Sequence, residues 1–155
     1  MHRLTGTMLF ASAAYVLAGG YIHLREWLGA YRFVPASAPG AALVRVGFPV
    51  NAALSVVLAV VLLAAAVRLP RLVVPAVVGT MAFQAASLAF VVGSRVGTVL
   101  GWSEPAWTTA AEQTRAVEVG ALLMLGAAGL VHRSARAHRP SVRLEPARLR
   151  TDGVG

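Results

Sequence analysis

Residues 46–94 read VGFPVNAALSVVLAVVLLAAAV, then RLPR, then LVVPAVVGTMAFQAASLAFVVGS, two charge-free runs separated by four residues. Each run is close to the roughly 20 residues that a helix needs to cross a hydrocarbon core. Apolar side chains cover every face of these runs instead of recurring at amphipathic spacing, so lipid is the solvent they fit. The break Arg68-Leu69-Pro70-Arg71 is very short, which predicts that the two helices form an antiparallel pair.

Outward from this hairpin, residues 4–24 form a third charge-free run whose only titratable group is His23. Arg3 followed by an apolar stretch also resembles a signal peptide. The small residues Ala11 to Ala13 come too early for a full apolar region, and a site after Gly20 matches poorly, so an uncleaved span is expected. A fourth span carries Glu118. Thr109-Ala110-Ala111-Glu112 reads as a capping box that starts it, giving a helix over residues 109–131 with Arg115 near one end. The fold predicted is all-α, a four-helix transmembrane bundle within residues 1–131.

Composition agrees. Across 155 residues the hydrophobic fraction is 57% and the charged fraction 13%, about half the share usual in soluble domains. The mean hydropathy is +0.70. The absence of cysteine excludes disulfides and thiol chemistry in this chain. The net charge of +8 comes from fourteen arginines and no lysine. Six of these follow His132 and most others flank the apolar runs, a distribution that orients helices in a bilayer and argues against nucleic acid.

With the N-terminus inside, cytoplasmic segments hold nine arginines and outer segments five, which favours both termini in the cytoplasm. Tyr21, Trp27, Tyr31, Phe33, Trp102 and Trp107 gather at the outer interface. The two outer connections are the longer ones, and longer loops of specific chemistry are where function tends to sit. Residues 132–155 turn polar and basic and are expected to be a disordered cytoplasmic tail, one that keeps the C-terminus inside or touches anionic lipid. Ala14 with Ala18, Gly79 with Ala82, and Gly120 with the 126–129 stretch offer small faces for helix contact. The two halves share no internal repeat, so an inverted-repeat transporter has no support.

Intramembrane polar groups are expensive, and each needs an account. The principal ones are His23, Asn51, Gln84 and Glu118, with Ser55, Thr80 and Ser87 as minor members. Helix rise places Glu118 and Gln84 each about 15 Å below the outer helix ends and Asn51 about 8 Å down. Three helices thus put a polar group in the outer half of the bilayer. A ligand-binding pocket of Asn51, Gln84 and Glu118 is expected, opening past His23, with Arg115 nearby and Arg32 and Arg45 at its mouth. The alternative for Asn51 and Gln84 is interhelical hydrogen bonding worth about 1 kcal/mol or less each. Arg115 and Glu118, three apart on one face, could instead neutralise one another.

Other chemistries find no footing. His23 and His132 fall at opposite faces and cannot share a haem iron, and no metal or catalytic motif is present. The cofactor is left open, and an enzyme is the least supported class.

Ile22-His23-Leu24, Trp27, Tyr31-Arg32 and Val34-Pro35 precede a helix bearing Asn51. That run resembles uncharacterised small four-helix integral membrane proteins of actinobacteria, which carry a His-Leu then Tyr-Arg-x-x-Pro pattern before an Asn- or Gln-bearing second helix. Residues 104–118, with their Thr pair and Glu118, look like the same family's start of helix four. The likeness to DoxX-like four-helix proteins is looser. The resemblance covers roughly residues 15–125 and implies topology, a bacterial plasma membrane and weight on His23, Arg32, Asn51 and Glu118. It implies no activity. Two functions remain: an accessory or scaffold subunit of a membrane assembly, through other subunits or self-association, or a binder or transporter of a lipid, quinone or ion.

Overall fold

The computed structural model describes residues 2–138. Its helices are α1 (His2–Gly29), α2 (Ala41–Val67), α3 (Val73–Val96) and α4 (Thr109–Ala137), with 3-10 turns at Tyr31–Phe33 and Pro70–Leu72. All four helices are long and apolar enough to cross a membrane. The protein is an all-α, four-helix transmembrane bundle. The outward face of α2 carries Val46, Val50, Leu54, Val57 and Val60, all well exposed on the bundle surface. In water such a stripe would be an anomaly, whereas lipid makes it an ordinary surface.

Helix α1 is the hub, packing extensively against α2 and α4, while α3 packs mainly against α4. The α2–α3 pair follows the short reversal at Pro70, yet of these neighbours it is the most sparsely packed. A brief connection fixes direction, but contact depends on side-chain size. Close approach comes from α1: a Cβ added at Gly20 would lie 2.6 Å from Ser55 Cβ on α2, and one at Gly19 would touch Val117 on α4. The sequence expectation holds in part: a Cβ at Gly120 would meet the Tyr15 ring, one at Gly129 would touch Val77, and Ala128 is buried. Ala14, Gly79 and Ala82 are exposed, and a Cβ at Gly79 or Gly126 meets nothing, so those small faces look outward.

Interior positions of α4 are Ala111, Thr114, Glu118, Ala121, Leu125, Ala128 and His132, alternating steps of three and four as in a bundle seam. Two expectations about α4 are corrected. Its cap is Thr108, not Thr109: Thr108 is extended and its hydroxyl accepts from the Ala111 amide at 3.2 Å. Glu112 then sits four residues past the cap, too far along for the reciprocal bond, and pairs with Arg115 instead. The helix also runs to Ala137, with His132 buried, so the segment after Val131 is not disordered from its start. The rest of the expected tail, residues 139–155, lies outside the described residues.

The bundle is divided along its length. Toward the α2–α3 turn the core is mostly apolar, built from Leu9, Ala13, Leu62, Ala65, Val77, Leu125 and Ala128, with Thr5, Ser12 and His132 as buried polar members. Toward the two long connections it becomes polar.

Candidate functional site

All four helices contribute to the polar half. Gly19 and Gly20 bring α2 and α4 close to α1, and the side chains of Asn51, Ser55, Ser87 and Glu118 lie around that crossing. Ser55 donates to Asn51 Oδ1 at 3.4 Å, and Asn51 Nδ2 donates to Ser87 Oγ at 3.1 Å. Having accepted from Asn51, the Ser87 hydroxyl retains its own proton for a further acceptor. That acceptor faces it: Ser87 lies close enough to Glu118 to act on the carboxylate, though short of full hydrogen-bond geometry. Ser87, a minor member in the sequence reading, thus accepts from Asn51 and lies near Glu118 without a hydrogen bond to it.

Glu118 is 1% exposed and neither of its oxygens has a hydrogen-bond donor. Gln84, 2% exposed on α3, likewise leaves Nε2 without an acceptor, as Thr80 one turn away leaves its hydroxyl. Buried polar atoms are nearly always satisfied, so these unpartnered atoms single out Thr80, Gln84 and Glu118 as candidate site residues. Arg115 does not neutralise Glu118, as the spacing had allowed. It is exposed, pairs with Glu112 and stacks over Trp107 at 5.1 Å.

A cavity of about 130 Å³ opens beside this line in the α2–α3 seam, lined by His23, Leu43, Phe48, Asn51, Ser87 and Phe90 among others. His23 Nδ1 donates to the Gly19 carbonyl at 2.9 Å, which leaves Nε2 as the ring nitrogen for the cavity. The Phe48 ring stands 5.1 Å from the imidazole. His23, Asn51 and Ser87 thus share one space, with Glu118 behind Ser87. Gln84 is inside the bundle but off the cavity wall, and Arg32 and Arg45 line a separate cleft. No group of three or more metal-binding side chains occurs among the described residues.

The long connections close over this end. Tyr31 donates to Glu104 Oε2 at 2.6 Å, and Arg95 Nη1 pairs with the same carboxylate at 2.8 Å and with the Glu104 carbonyl at 2.7 Å. Tyr31 also packs on Phe48 and edge-on to Trp102. Burial, then the hydrogen bond and negative charge of Glu104, push the Tyr31 phenol well above its usual range, so it stays a donor. Gly40 and Gly101 adopt positive φ where the connections touch, and a Cβ at Gly40 would fall 2.5 Å from the Trp102 amide. Sequence reading missed this latch, because no local spacing links Tyr31 to a carboxylate 73 residues away.

Against protein-family models, curated proteins and solved structures, the chain shows no match.

Proposed function

We propose that the protein binds a small polar guest inside the membrane, admitted through the α2–α3 seam and held on the line from Asn51 through Ser87 to Glu118. The observation that carries this reading is the Glu118 carboxylate, fully buried with no donor on either oxygen and separated from the cavity by one serine hydroxyl. A proton-donating or cationic group satisfies it, and His23 and Asn51 supply polar contacts at the entrance. The size of the cavity favours a guest of a few heavy atoms, or the polar end of a lipid or quinone whose tail stays in the bilayer.

The other reading is an accessory or scaffold subunit that presents polar residues to other membrane chains. Gln84 and Glu118 face the chain's own interior, and Asn51 bonds within the chain, so these residues support guest binding over scaffolding. The resemblance to small actinobacterial membrane proteins and the arginine distribution favour a bacterial plasma membrane with both termini cytoplasmic. In that orientation the seam cavity belongs to the outer half of the bilayer.

Native mass spectrometry of the full chain released gently from its own membranes tests the reading. A retained non-protein mass that disappears in Glu118→Gln supports it. Release with another chain, with no small-molecule mass at any stage, supports the scaffold instead.

A further inference from the structure

We infer that a second site, separate from the buried line, holds the phosphate of an anionic phospholipid between Arg32 and Arg45. These residues line a surface cleft of about 360 Å³ with Trp27, Ala36, Ala42 and Val46. The inference rests on charge balance, on the depth of the cleft and on the way it is built.

Five arginines lie at this end of the bundle: Arg25, Arg32, Arg45, Arg95 and Arg115. Arg25 pairs with Glu26, Arg95 with Glu104 and Arg115 with Glu112. The remaining acidic residue among those described is Glu118, which is buried in the interior. Every carboxylate able to reach the surface here is therefore taken. Arg32 and Arg45 form no ion pair among the described residues, and both open onto one cleft.

The cleft also has the depth of a headgroup. Arg45 is the last charged residue before the run over 46–67, and Trp27 lies just beyond the run over 4–24. Arginine and tryptophan at such boundaries sit at headgroup level. Below Arg45 the wall becomes Val46, and exposed Val50 continues down α2, a path for an acyl chain.

Its construction favours an anion. The first turn of α2 holds no acidic residue and its cap, Gly40, makes no side-chain bond, so the positive helix end is not neutralised from within. Arg45 has its carbonyl tied to the Trp27 indole at 2.9 Å, and Arg32 rests on the Phe33 ring at 4.5 Å. Both anchors leave the guanidinium donors for a ligand, and two planar donor sets suit phosphate oxygens.

Full-length protein in detergent, titrated with phosphatidylglycerol, phosphatidylcholine of equal chain length, or inorganic phosphate and followed by native mass spectrometry, tests the assignment. Phosphatidylglycerol should bind more tightly than phosphatidylcholine, with inorganic phosphate leaving no adduct. Each Arg→Gln change should weaken phosphatidylglycerol about fivefold, and the double variant Arg32→Gln/Arg45→Gln about 25-fold. Both side chains are exposed, and thermal unfolding checks that the fold survives. The pair Arg32→Lys/Arg45→Lys should weaken binding less than the glutamine pair, because it preserves charge while giving up the planar donor sets. Equal binding of the two lipids, undiminished binding in the glutamine pair, or equal loss in the lysine pair would each overturn the proposal. So would capture of inorganic phosphate without lipid.

Discussion

The indole of Trp27 donates to the carbonyl of Arg45 at 2.9 Å, and that carbonyl is the one Pro49 leaves without a helical partner. Pro49 lies inside α2 and has no amide hydrogen for the residue four positions earlier. A side chain from α1 thus repairs a gap in α2 and pins the two helices together at the membrane boundary. Trp27→Phe, which keeps a ring but removes the donor, should destabilise the bundle by about 1 kcal/mol. In a Pro49→Ala background the helix regains its own amide, and the same change should cost close to nothing. Thermal unfolding of the four proteins in detergent gives the cycle, and strictly additive effects would refute the repair.

The latch between the long connections makes its own prediction. Tyr31→Phe and Glu104→Gln should each lower stability by about 1–2 kcal/mol, and together by less than their sum. The phenol also has a pH signature. Its folded-state pKa lies above the unfolded value of 10.0, so the contribution is fully present below that value. It is lost as pH rises through the alkaline range toward the folded pKa. Wild type should therefore lose stability more steeply than Tyr31→Phe above pH 10, and the ultraviolet difference between them should show no phenolate forming near pH 10. Parallel stability curves for the two proteins would contradict the latch.

What could be read from the sequence follows from how far each signal reaches. Charge-free runs report solvent, and they located three helices without any knowledge of contacts, while the fourth, which carries Glu118, was placed from its helix-start signal. The polar residues His23, Asn51, Gln84 and Glu118 stood out for the same reason, since each is costly in lipid wherever it points. Helix rotation was not legible: nothing local says that Ser87 faces both Asn51 and Glu118, that Gln84 misses the cavity, or that Arg115 turns outward. The Thr108 cap was missed by one residue because two adjacent threonines offer equivalent hydroxyls. The Trp27–Arg45 bond was half legible, since Pro49 announces an orphaned carbonyl at Arg45 but not its donor.

Glycines separate packing from chance in a chain this rich in them. Gly20→Ala places its Cβ against Ser55 Cβ, which has no free torsion to yield, so α1 and α2 must part. Destabilisation of about 1–3 kcal/mol is expected, with disturbance of the adjoining Asn51–Ser87 bond. Gly79→Ala and Gly126→Ala meet open space and should be neutral or stabilising by up to about 1 kcal/mol, through helix propensity. Equal losses at all three positions would show that the α1–α2 crossing is not the tight one.

Glu118 poses the sharpest trade between stability and binding. A buried carboxylate without donors is a burden on the empty bundle, and function is the usual reason that such a burden persists. Glu118→Gln keeps shape and removes the ionisable group, and Glu118→Met removes polarity altogether. Both should unfold at higher temperature than wild type in detergent, by an amount corresponding to about 1–3 kcal/mol, with methionine at least as stable as glutamine. Both should also fail to retain the guest. Ser87→Ala should behave differently: it strands Asn51 Nδ2 and removes the hydroxyl between the cavity and the carboxylate, so stability and guest retention should fall together. A wild-type protein more stable than either Glu118 variant, in detergent stripped of any guest, would show that the carboxylate is held by bonds inside the bundle and is not waiting for a ligand.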